Sequence, residues 1–305
     1  MKVLLAGGSG FLGTALAREL RAHGHEALTL TRHKVQRPGE IHWDGTSQGP
    51  WCQVLEEVDA VVNATGYGLE HWPWSRARKR RFADSRVLPG LCLTAAIKEA
   101  RNPPRAFVQF SGINYYGLRG SGVADESSPA AADFLAQLTV RWEAATSGVE
   151  RVGVRRIVVR QAIVLDPRSG LLPLMALPVR CFVGGRLGSG RQATPWIHLS
   201  DQVRALRFLL EDGQARGVYN LVAPTPTSSD EFMTALARVL RRPYWLTIPE
   251  VVLRLVLGEM SDLVLEGRYS QPKCLLDQGF RFEFPTLELA MKEMFATGGQ
   301  ASGTS

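Results

Sequence analysis

Three glycines near the beginning of the chain constrain its fold more than any other feature. They lie between an apolar run at residues 3–6 and a helical pattern at residues 11–23. In a strand-turn-helix unit this spacing permits a tight turn, a close approach of the backbone to a pyrophosphate and close packing of the helix on the strand, while the helix N-terminus stabilises negative charge. A glycine-rich turn without a ligand is disfavoured at such a junction. The predicted contacts of this dinucleotide-binding unit are Gly7, Gly10, Phe11, Leu12 and Gly13.

Short apolar runs alternate with longer helical patterns through the first half of the 305-residue chain. Strands are predicted at residues 3–6, 27–30, 40–43, 60–63, 106–110 and 156–160, and long helices at residues 75–100 and 133–147. This alternation is typical of a parallel sheet with helices on both faces. We therefore expect an α/β protein with a Rossmann-type, doubly wound parallel sheet.

The alternation breaks down in the second half of the chain. Residues 167–178 and 184–190 are rich in proline and glycine, which predicts loops. Beyond them, the predicted elements are a helix at residues 200–210, a strand at residues 218–222 and a helix that begins at Ser229. Ser228 and Glu231 have the spacing of a capping box at the start of that last helix.

These patterns divide the chain into two parts. We expect residues 1–165 to form the nucleotide-binding domain, with its sheet completed by roughly residues 196–222. Residues 166–297 are then expected to form a smaller, interleaved lobe that binds the substrate. Residues 298–305 have nothing to bury, and we expect them to be disordered.

Composition excludes several classes of protein. Apolar residues make up 45% of the chain, but no run approaches the about 18 consecutive apolar residues of a membrane helix, so no membrane partner is expected. The chain starts directly with a strand pattern rather than a secretory leader, and its four cysteines are widely spaced, which predicts a cytoplasmic protein without a metal site. The net charge of +7 comes from arginine. Attraction of an anionic ligand such as a dinucleotide phosphate, or of nucleic acid, is the alternative meaning of this charge, but no zinc-finger or RNP-type motif supports nucleic acid.

The end of the second predicted strand bears on the choice of cofactor. An acidic residue at this point would bind the adenine-ribose 2′-hydroxyl of NAD, and none is present. Instead, Arg32 and the hydroxyl of Thr31 can hold a 2′-phosphate, while His33 and Lys34 add positive potential. The sequence therefore favours NADP(H) over NAD. The alternative is that Arg32 is a solvated loop residue.

A second set of candidate contacts follows the strand at residues 60–63. Small residues at the carboxyl end of such a strand let a cofactor lie against the backbone. The expected contacts there are Asn63, Ala64, Thr65 and Gly66. The following helix carries a basic run at residues 76–81, which is typical of a solvated face. Within this helix, Arg80 and Ser85 can face the cofactor.

Further motifs are spread over nearly the whole chain. They are Ser85-Arg86, SGINYYG at residues 111–117, Arg141-Trp142-Glu143, GRQATPWIH at residues 190–198, YNLVAP at residues 219–224, Gly258-Glu259, QPK at residues 271–273 and Gly279-Phe280. With the glycine pattern, they resemble the atypical extended short-chain dehydrogenase/reductases, in the epimerase-like branch that is also called cell-division-inhibitor-like. The resemblance implies a Rossmann domain that binds NADP(H) and a C-terminal domain that closes over a small-molecule substrate. It also implies that Arg86 and Val164 lie near the cofactor.

The resemblance fails at the catalytic motif. Ordinary members carry Tyr-x-x-x-Lys on the helix that corresponds to residues 133–147, where the lysine lowers the pKa of the tyrosine and the phenol exchanges a proton as hydride moves. That helix contains neither tyrosine nor lysine here, and no lysine occurs between Lys98 and Lys273. The serine that polarises the carbonyl is also displaced, because Gly112 occupies its position and Ser111 precedes it.

Two explanations stay open. Either another acid serves, with Ser111, Tyr116 and His198 as candidate catalytic residues and Tyr115 as a further candidate, or hydride chemistry is lost and the fold senses NADPH. Packing of the tyrosines and a structural role for the histidine are the alternatives. The sequence favours an NADP-dependent oxidoreductase or epimerase-like enzyme that acts on a carbonyl, hydroxyl or nucleotide-sugar-like substrate. The run at residues 248–257 is expected to be core, although a helix of the substrate lobe or a dimer helix, and hence a homodimer, stays open.

Overall fold

A computed structural model describes residues 1–120 and 122–296. The strands are β1 (Lys2–Ala6), β2 (Glu26–Thr31), β3 (Glu40–His42), β4 (Ala60–Asn63), β5 (Ala106–Gly112), β6 (Arg155–Gln161), β7 (Ile163–Leu165), β8 (Gly185–Leu187), β9 (Trp196–His198), β10 (Gly217–Leu221) and β11 (Leu246–Ile248). The α-helices are α1 (Phe11–Ala22), α2 (Arg76–Glu99), α3 (Phe134–Ala144), α4 (Leu172–Arg180), α5 (Leu199–Glu211), α6 (Ser229–Val239), α7 (Glu250–Leu257), α8 (Asp262–Leu265), α9 (Lys273–Asp277) and α10 (Leu287–Ala296). The expectation for residues 298–305 lies outside the described residues.

Seven parallel strands form the central sheet, in the order β10-β6-β5-β4-β1-β2-β3. The chain runs from β1 to β3 in one direction, returns to β4 beside β1 and then continues in the other direction. This reversal confirms the predicted doubly wound, Rossmann-type sheet. It also opens a crevice at the carboxyl ends of β1 and β4, where sheets of this kind bind ligands.

Both faces of the sheet are covered by helices. On one face, Leu16 of α1 and Leu206 of α5 pack against inward-facing strand residues such as Val62. On the other face, Leu93 of α2 packs with Val61 of the same strand. All five side chains are fully buried. The strands therefore read as continuous apolar runs, as expected for a parallel sheet that is buried on both sides.

The small lobe has a core of its own, formed by α4, α6 and α10. Leu172, Phe232 and Met291 meet there and are buried. The predicted capping box is confirmed: the hydroxyl of Ser228 accepts from the amide of Glu231, and the Glu231 carboxylate accepts from the amide of Ser228. Two short sheets, β8 with β11 and β7 with β9, complete this part of the chain.

Three predictions for the second half are wrong. The segment predicted as loop at residues 184–190 contains β8, which pairs with β11. Part of the segment predicted as loop at residues 167–178 belongs to α4, because Pro173 lies in the first turn, where a helix needs no amide donor. The run at residues 248–257, predicted to be core, contains α7, which has no buried residue. Leu255 in this helix is 85% exposed. No helix in residues 1–120 or 122–296 is long and apolar enough to cross a membrane.

Candidate functional site

The glycine turn between β1 and α1 is built on close backbone contacts. Gly7 has a φ of +85°, and a Cβ there would lie 2.8 Å from the carbonyl oxygen of Ala64. A Cβ on Gly13 would collide with the carbonyl oxygen of Gly7 and lie 2.6 Å from the Cα of Gly8. No larger residue fits either position without a backbone shift. The turn is therefore held against the end of β4 and against the first turn of α1.

The N-terminus of α1 offers free donors to this turn. Its N-cap residue is Gly10, which has no capping side chain. Within the described part of the chain, no group accepts a hydrogen bond from the amides of Phe11, Leu12 or Gly13. Unpaired amides at a helix N-terminus favour a negatively charged ligand. The arrangement fits the pyrophosphate that the glycine spacing predicts.

The strand register brings three strand ends to this turn. Ala6 pairs with Leu30 of β2 on one side and with Asn63 of β4 on the other. The next residues, Thr31 and Ala64, therefore flank the glycine turn. We call the glycine turn with these two strand ends the cofactor cradle.

The end of β2 presents an unpaired cation at one side of the cradle. Thr31 is buried, and its hydroxyl accepts from the amide of His33 at 3.2 Å. Arg32 is exposed, and it forms no ion pair with any carboxylate that the structure describes. Its stem passes Gly45, where a Cβ would lie 3.7 Å from Cδ of Arg32. The guanidinium is thus free to bind an anion beside the cradle.

The end of β4 is held by buried amide contacts. Asn63 donates Nδ2 to Oε1 of Gln109 at 3.0 Å. Its Oδ1 accepts from the hydroxyl of Thr65 at 2.6 Å. These bonds fix the backbone of Ala64 and Thr65, so the exposed Gly66 that follows is placed beside the crevice.

A buried arginine lies behind Gly66. Arg86 on α2 donates Nη1 to the carbonyl oxygens of Tyr67, at 2.8 Å, and Phe82, at 3.2 Å. Its guanidinium carbon lies 5.0 Å from the centre of the Trp142 ring and 3.4 Å from where a Cβ on Gly66 would be. Burial lowers the pKa of Arg86 to about 10. The charge of Glu70 opposes this shift, but no carboxylate in residues 1–120 or 122–296 forms an ion pair with Arg86, so a cationic side chain is held at the edge of the crevice without an ion-pair partner.

The remaining contacts expected on α2 have different surroundings. The hydroxyl of Ser85 accepts from the amide of Tyr67 at 3.0 Å and donates to the carbonyl of Phe82 at 3.1 Å, so it supports the loop after β4. Arg80 is exposed. Its neighbours are engaged with the protein, because Lys79 pairs with Glu259 and the guanidinium of Arg81 stacks 4.1 Å from the Tyr67 ring centre.

The loop after β7 lies against the first residue of α1. A Cβ on Gly170 would lie 3.2 Å from the ring of Phe11 and 3.4 Å from the carbonyl oxygen of Val164. Val164 itself is buried in β7, where it pairs with Ile197 of β9. The structure therefore brings the loop at Val164 together with the cofactor cradle.

A buried hydrogen-bond network lies at the ends of β5 and β6. The hydroxyl of Ser111 donates to Oε1 of Glu143 at 2.6 Å. Arg160 donates Nε to Oε1 of Glu143 at 2.8 Å and Nη2 to Oε2 at 2.9 Å. It also donates Nη1 to the hydroxyl of Tyr116 at 3.0 Å, and that hydroxyl donates to Oδ1 of Asn220 at 2.8 Å. We call these five side chains the Arg160 network.

The network uses the hydroxyls of both Ser111 and Tyr116. Each of these side chains is 0% exposed. Burial raises the pKa of Tyr116 to about 12, although Arg160 opposes the shift. Burial alone would lower the pKa of Arg160, but the hydrogen bond and the charge of Glu143 outweigh it and raise that pKa. Arg160 and Glu143 therefore form an ion pair, and this pair also binds the hydroxyls of Ser111 and Tyr116.

The order of the strands, the cradle and the length of the chain agree with one protein family. The model of the NAD dependent epimerase/dehydratase family matches residues 3–221. The chain belongs to this family. The model of a domain of unknown function (DUF1731) matches residues 248–294, the C-terminal part of the small lobe.

Known members of the epimerase/dehydratase family are similar over almost the whole chain. The epimerase family protein Mb2239 of Mycobacterium bovis is 38% identical over 290 residues, which are 95% of this chain and 96% of that protein. The human epimerase family protein SDR39U1, whose crystal structure was solved with NADPH, is 35% identical in sequence. The two structures superpose with a TM-score of 0.89 over 97% of this chain and 99% of the human chain. The nucleoside-diphosphate sugar epimerase of Corynebacterium glutamicum is 26% identical, with a TM-score of 0.79 over 97% of this chain and 58% of that one.

Ordinary members of the family carry a serine at the position of Gly112. In this chain there is free space beside that glycine. A Cβ on Gly112 would have its nearest neighbours, the amide of Asn114 and the carbonyl of Gln161, at 3.9 Å and 4.0 Å. Tyr115 is half-buried, and the guanidinium of Arg160 stacks 3.3 Å from its ring centre. Its hydroxyl has no hydrogen-bond partner among the residues described. This phenol differs from that of Tyr116 in having a free hydroxyl.

His198 is separate from the Arg160 network. It is the N-cap of α5, where its Nδ1 accepts from the amide of Ser200 at 3.2 Å. Its Nε2 donates to Oε2 of Glu293 at 3.1 Å, and its ring lies 4.0 Å from that of Phe284. Burial lowers the pKa of His198, and Glu293 opposes the shift. Both ring nitrogens are therefore engaged with the protein.

A cavity of about 630 Å³ opens in the small lobe, away from the cofactor cradle. Arg186, Arg191, Asp230 and Tyr269 are among its lining residues. Arg186 pairs with Asp230 at 2.9 Å, so this wall carries both signs of charge. No cluster of His, Cys, Asp or Glu in the described residues could hold a metal ion.

Sequence reasoning missed the Arg160 network. Glu143 belongs to a motif that carried the family resemblance, but its role could not be read from that motif. Arg160 is a charged residue directly after the buried apolar run at residues 157–159 of β6, and such a position requires a buried partner. That local signal could have pointed to a buried ion pair, although not to Glu143 as its partner.

Proposed function

We propose that this epimerase/dehydratase family member binds NADP(H) in the cofactor cradle and transfers hydride to or from a small-molecule substrate. The observation that carries the proposal is the first turn of α1, where three unpaired amides face a turn in which Gly7 and Gly13 have no room for a side chain. A helix N-terminus of this kind binds phosphate groups. The human relative SDR39U1, whose structure was solved with NADPH, supports the same cofactor here.

Arg32 supports NADP(H) rather than NAD as the ligand. It lies at the end of β2, beside the cradle, and is exposed without an ion-pair partner in residues 1–120 or 122–296. A guanidinium can hold a phosphate through two parallel hydrogen bonds. Thr31 supplies a neighbouring hydroxyl, as the sequence predicts. We assign the adenine-ribose 2′-phosphate to this pair.

Arg86 contributes a second cation to the site. It is buried behind Gly66, and burial without a carboxylate partner destabilises its charge. An anionic cofactor on the exposed side of Gly66 would stabilise that charge. The bound NADP(H) supplies or accepts the hydride. The residues of the cradle hold and orient it, and the remaining expected contacts, including Arg80, Ser85 and Val164, stay predictions.

The source of the proton is the open part of the mechanism. Ser111 and Tyr116 are buried with saturated hydroxyls, and His198 caps a helix. Their catalytic roles stay predictions. We propose that Ser111 and Tyr116 are positioning residues. They hold the ends of β5 and β6 in place through Glu143 and Arg160. Carbonyl, hydroxyl and nucleotide-sugar-like compounds are the proposed substrates, and the sugar epimerase of Corynebacterium glutamicum supports the last class.

A second candidate function rests on the same network. Because the hydroxyls of two candidate catalytic residues, Ser111 and Tyr116, are used by the protein, a chain that binds NADPH without turnover is the alternative. Such a catalytically impaired module would regulate a partner. It predicts a partner whose affinity changes when NADPH is added.

Two measurements test these proposals in order. Isothermal titration calorimetry of the full chain with NADPH tests the cradle, and Gly13→Ala is expected to abolish binding. Turnover is then followed with a panel of carbonyl and nucleotide-sugar compounds, by NADPH absorbance for reduction and by product analysis for epimerisation, which causes no net change in NADPH. Oxidation of NADPH or formation of an epimer with any of them supports the enzyme. Tight binding without turnover across the panel favours the regulatory module, and absence of binding contradicts both.

A further inference from the structure

An exposed apolar surface lies on the small lobe, outside the cofactor cradle. Helix α4 buries Leu172, Ala176 and Val179. On the opposite face it exposes Leu174 and Leu177, by 53% and 57%. A helix that buries one apolar stripe and exposes another has an unpartnered face.

The surface continues beyond the end of α4. Phe182 and Val183 are 54% and 48% exposed, and Trp245, just before β11, is 69% exposed. Nε1 of Trp245 donates to the carbonyl oxygen of Phe182 at 3.2 Å. The guanidinium of Arg242 lies 4.5 Å from the centre of the Phe182 ring. The α4 patch, as we call this surface, consists of Leu174, Leu177, Phe182, Val183 and Trp245.

Phe182, in the centre of the α4 patch, has an unfavourable backbone conformation. Phe182 has a φ of +64°, in the left-handed region. It follows the last turn of α4, where glycine is the usual residue, and the amide of Val183 closes the turn on the carbonyl of Pro178 at 3.0 Å. A phenylalanine in this conformation destabilises the fold relative to glycine. Its exposed ring therefore has no explanation in the folding of the lobe.

The two chain segments that carry the α4 patch contain basic residues and no acidic ones. The chain has no acidic residue between Asp166 and Asp201, nor between Glu231 and Glu250. The exposed arginines beside the patch are Arg180, Arg241 and Arg242. None of them pairs with a carboxylate in the parts of the chain that the structure describes. The surface thus combines exposed apolar side chains with unpaired positive charge.

We propose that the α4 patch docks on the surface of an anionic lipid bilayer. Its leucine and aromatic side chains enter the interfacial region, and the arginines lie among acidic headgroups. Tryptophan and arginine are both suited to this boundary, because each has an apolar body and a polar end. Two copies of the chain that met through this patch would bring like charges together, which disfavours self-association. Surface docking needs no membrane-spanning helix.

Co-sedimentation of the full chain with lipid vesicles tests the apolar part of the proposal. We expect binding to vesicles of phosphatidylcholine with phosphatidylglycerol at low salt, weaker binding at high salt, and none to pure phosphatidylcholine. The double variant Phe182→Gly/Trp245→Ala is expected to bind about tenfold more weakly, because it loses two interfacial anchors. Glycine suits the left-handed position, so this variant keeps the fold. Trp72→Ala, which removes a tryptophan that is 54% exposed elsewhere, is the matched control and keeps binding.

A pair of charge variants tests the electrostatic part. The patch variant is Arg180→Gln/Arg241→Gln/Arg242→Gln. The control, with the same net charge, is Arg101→Gln/Arg151→Gln/Arg216→Gln, at exposed arginines outside the patch. We expect a loss of about tenfold or more for the patch variant and about twofold or less for the control. Equal losses, or no binding of the unchanged chain to anionic vesicles, would overturn the proposal. So would a dimer, seen by light scattering, that Phe182→Gly/Trp245→Ala dissociates.

Discussion

Arg160 holds Glu143 through two parallel hydrogen bonds, from Nε to Oε1 at 2.8 Å and from Nη2 to Oε2 at 2.9 Å. The pair joins β6 to α3, the helix on which ordinary members of the family carry their catalytic tyrosine and lysine. Separating a buried pair of this geometry leaves an uncompensated charge and is strongly destabilising. The pair therefore holds β6 and α3 together. Ser111 and Tyr116 are bound to opposite ends of it. The site is therefore organised around an ion pair.

Tyr116→Phe tests whether Tyr116 positions the site or donates a proton. The variant removes the donor to Asn220 and one acceptor for Arg160, so we expect a loss of about 1–3 kcal/mol in the free energy of unfolding. The pH profile of any turnover should keep its shape. Urea denaturation and initial rates between acid and alkaline pH measure the two effects. Tyr115→Phe, at a hydroxyl without a partner in the described residues, should change stability by less than about 0.5 kcal/mol. An unchanged stability of Tyr116→Phe with a shifted pH profile would show Tyr116 to be a proton donor.

Gly13→Ala tests the close packing of the cradle. Its methyl group would collide with Gly7 and Gly8, and we expect destabilisation of about 1–3 kcal/mol together with loss of NADPH binding. Gly213→Ala is the control, because nothing lies within 4 Å of its added Cβ. Thermal unfolding and calorimetry should show little change for that variant. Normal stability and binding of Gly13→Ala would mean that α1 does not pack on the turn as described.

Arg86→Gln tests the buried cation behind Gly66. Arg86 lies on α2 behind Gly66, away from the β2 residues assigned to the 2′-phosphate, so it should act on a part of the cofactor that NADPH and NADH share. We expect about tenfold weaker binding of both. Calorimetry with each cofactor measures the effect. Undiminished affinity for both would place the cofactor away from Gly66.

His198→Asn tests the pH dependence of stability. In the folded chain, burial lowers the pKa of His198 below its ordinary 6.5. Its Nδ1 must also stay unprotonated to accept from Ser200. The unfolded chain thus binds the proton more readily, and the stability that neutral His198 contributes is lost as the pH falls below about 6.5. Asparagine is a good N-cap and does not titrate.

The stability advantage of the unchanged chain over His198→Asn should therefore shrink between about pH 7.5 and pH 5.5. Urea denaturation at several pH values measures this difference. An advantage that grows in acid would show that the charge of Glu293 outweighs burial and raises the pKa of His198.

Much of the fold was predictable because it depends on local patterns. The strand predicted at residues 60–63 is β4 to the residue, since its apolar run at residues 60–62 lies between Asp59 and Asn63. The segment of α4 was misjudged, because Pro173 and Pro178 count as helix breakers in sequence. Pro173 lies in the first turn, where no amide donor is needed, and Pro178 lies inside the helix, two residues before its end. An apolar run such as α7 does not reveal whether it is covered.

The candidate site was predictable in part for the same reason. The glycine turn and the end of β2 are each formed by residues that are close together in sequence, so residue spacing indicates what they bind. The partners in the Arg160 network are far apart: Ser111 and Glu143 are separated by 32 residues, and Glu143 and Arg160 by 17. No spacing rule joins them, and the folded sheet alone brings them together.

The measurement that most directly tests the proposed NADP(H) site is calorimetry of Arg32→Ala with NADPH and NADH. We expect the unchanged chain to bind NADPH at least about tenfold more tightly than NADH, because a hydrogen bond between charged groups contributes about 1.5–3 kcal/mol. Arg32→Ala should lose about tenfold or more of its affinity for NADPH and keep that for NADH. Arg37→Ala, at another exposed arginine of the same loop, should change neither. Equal losses for both cofactors in Arg32→Ala, or a preference of the unchanged chain for NADH, would contradict the assignment.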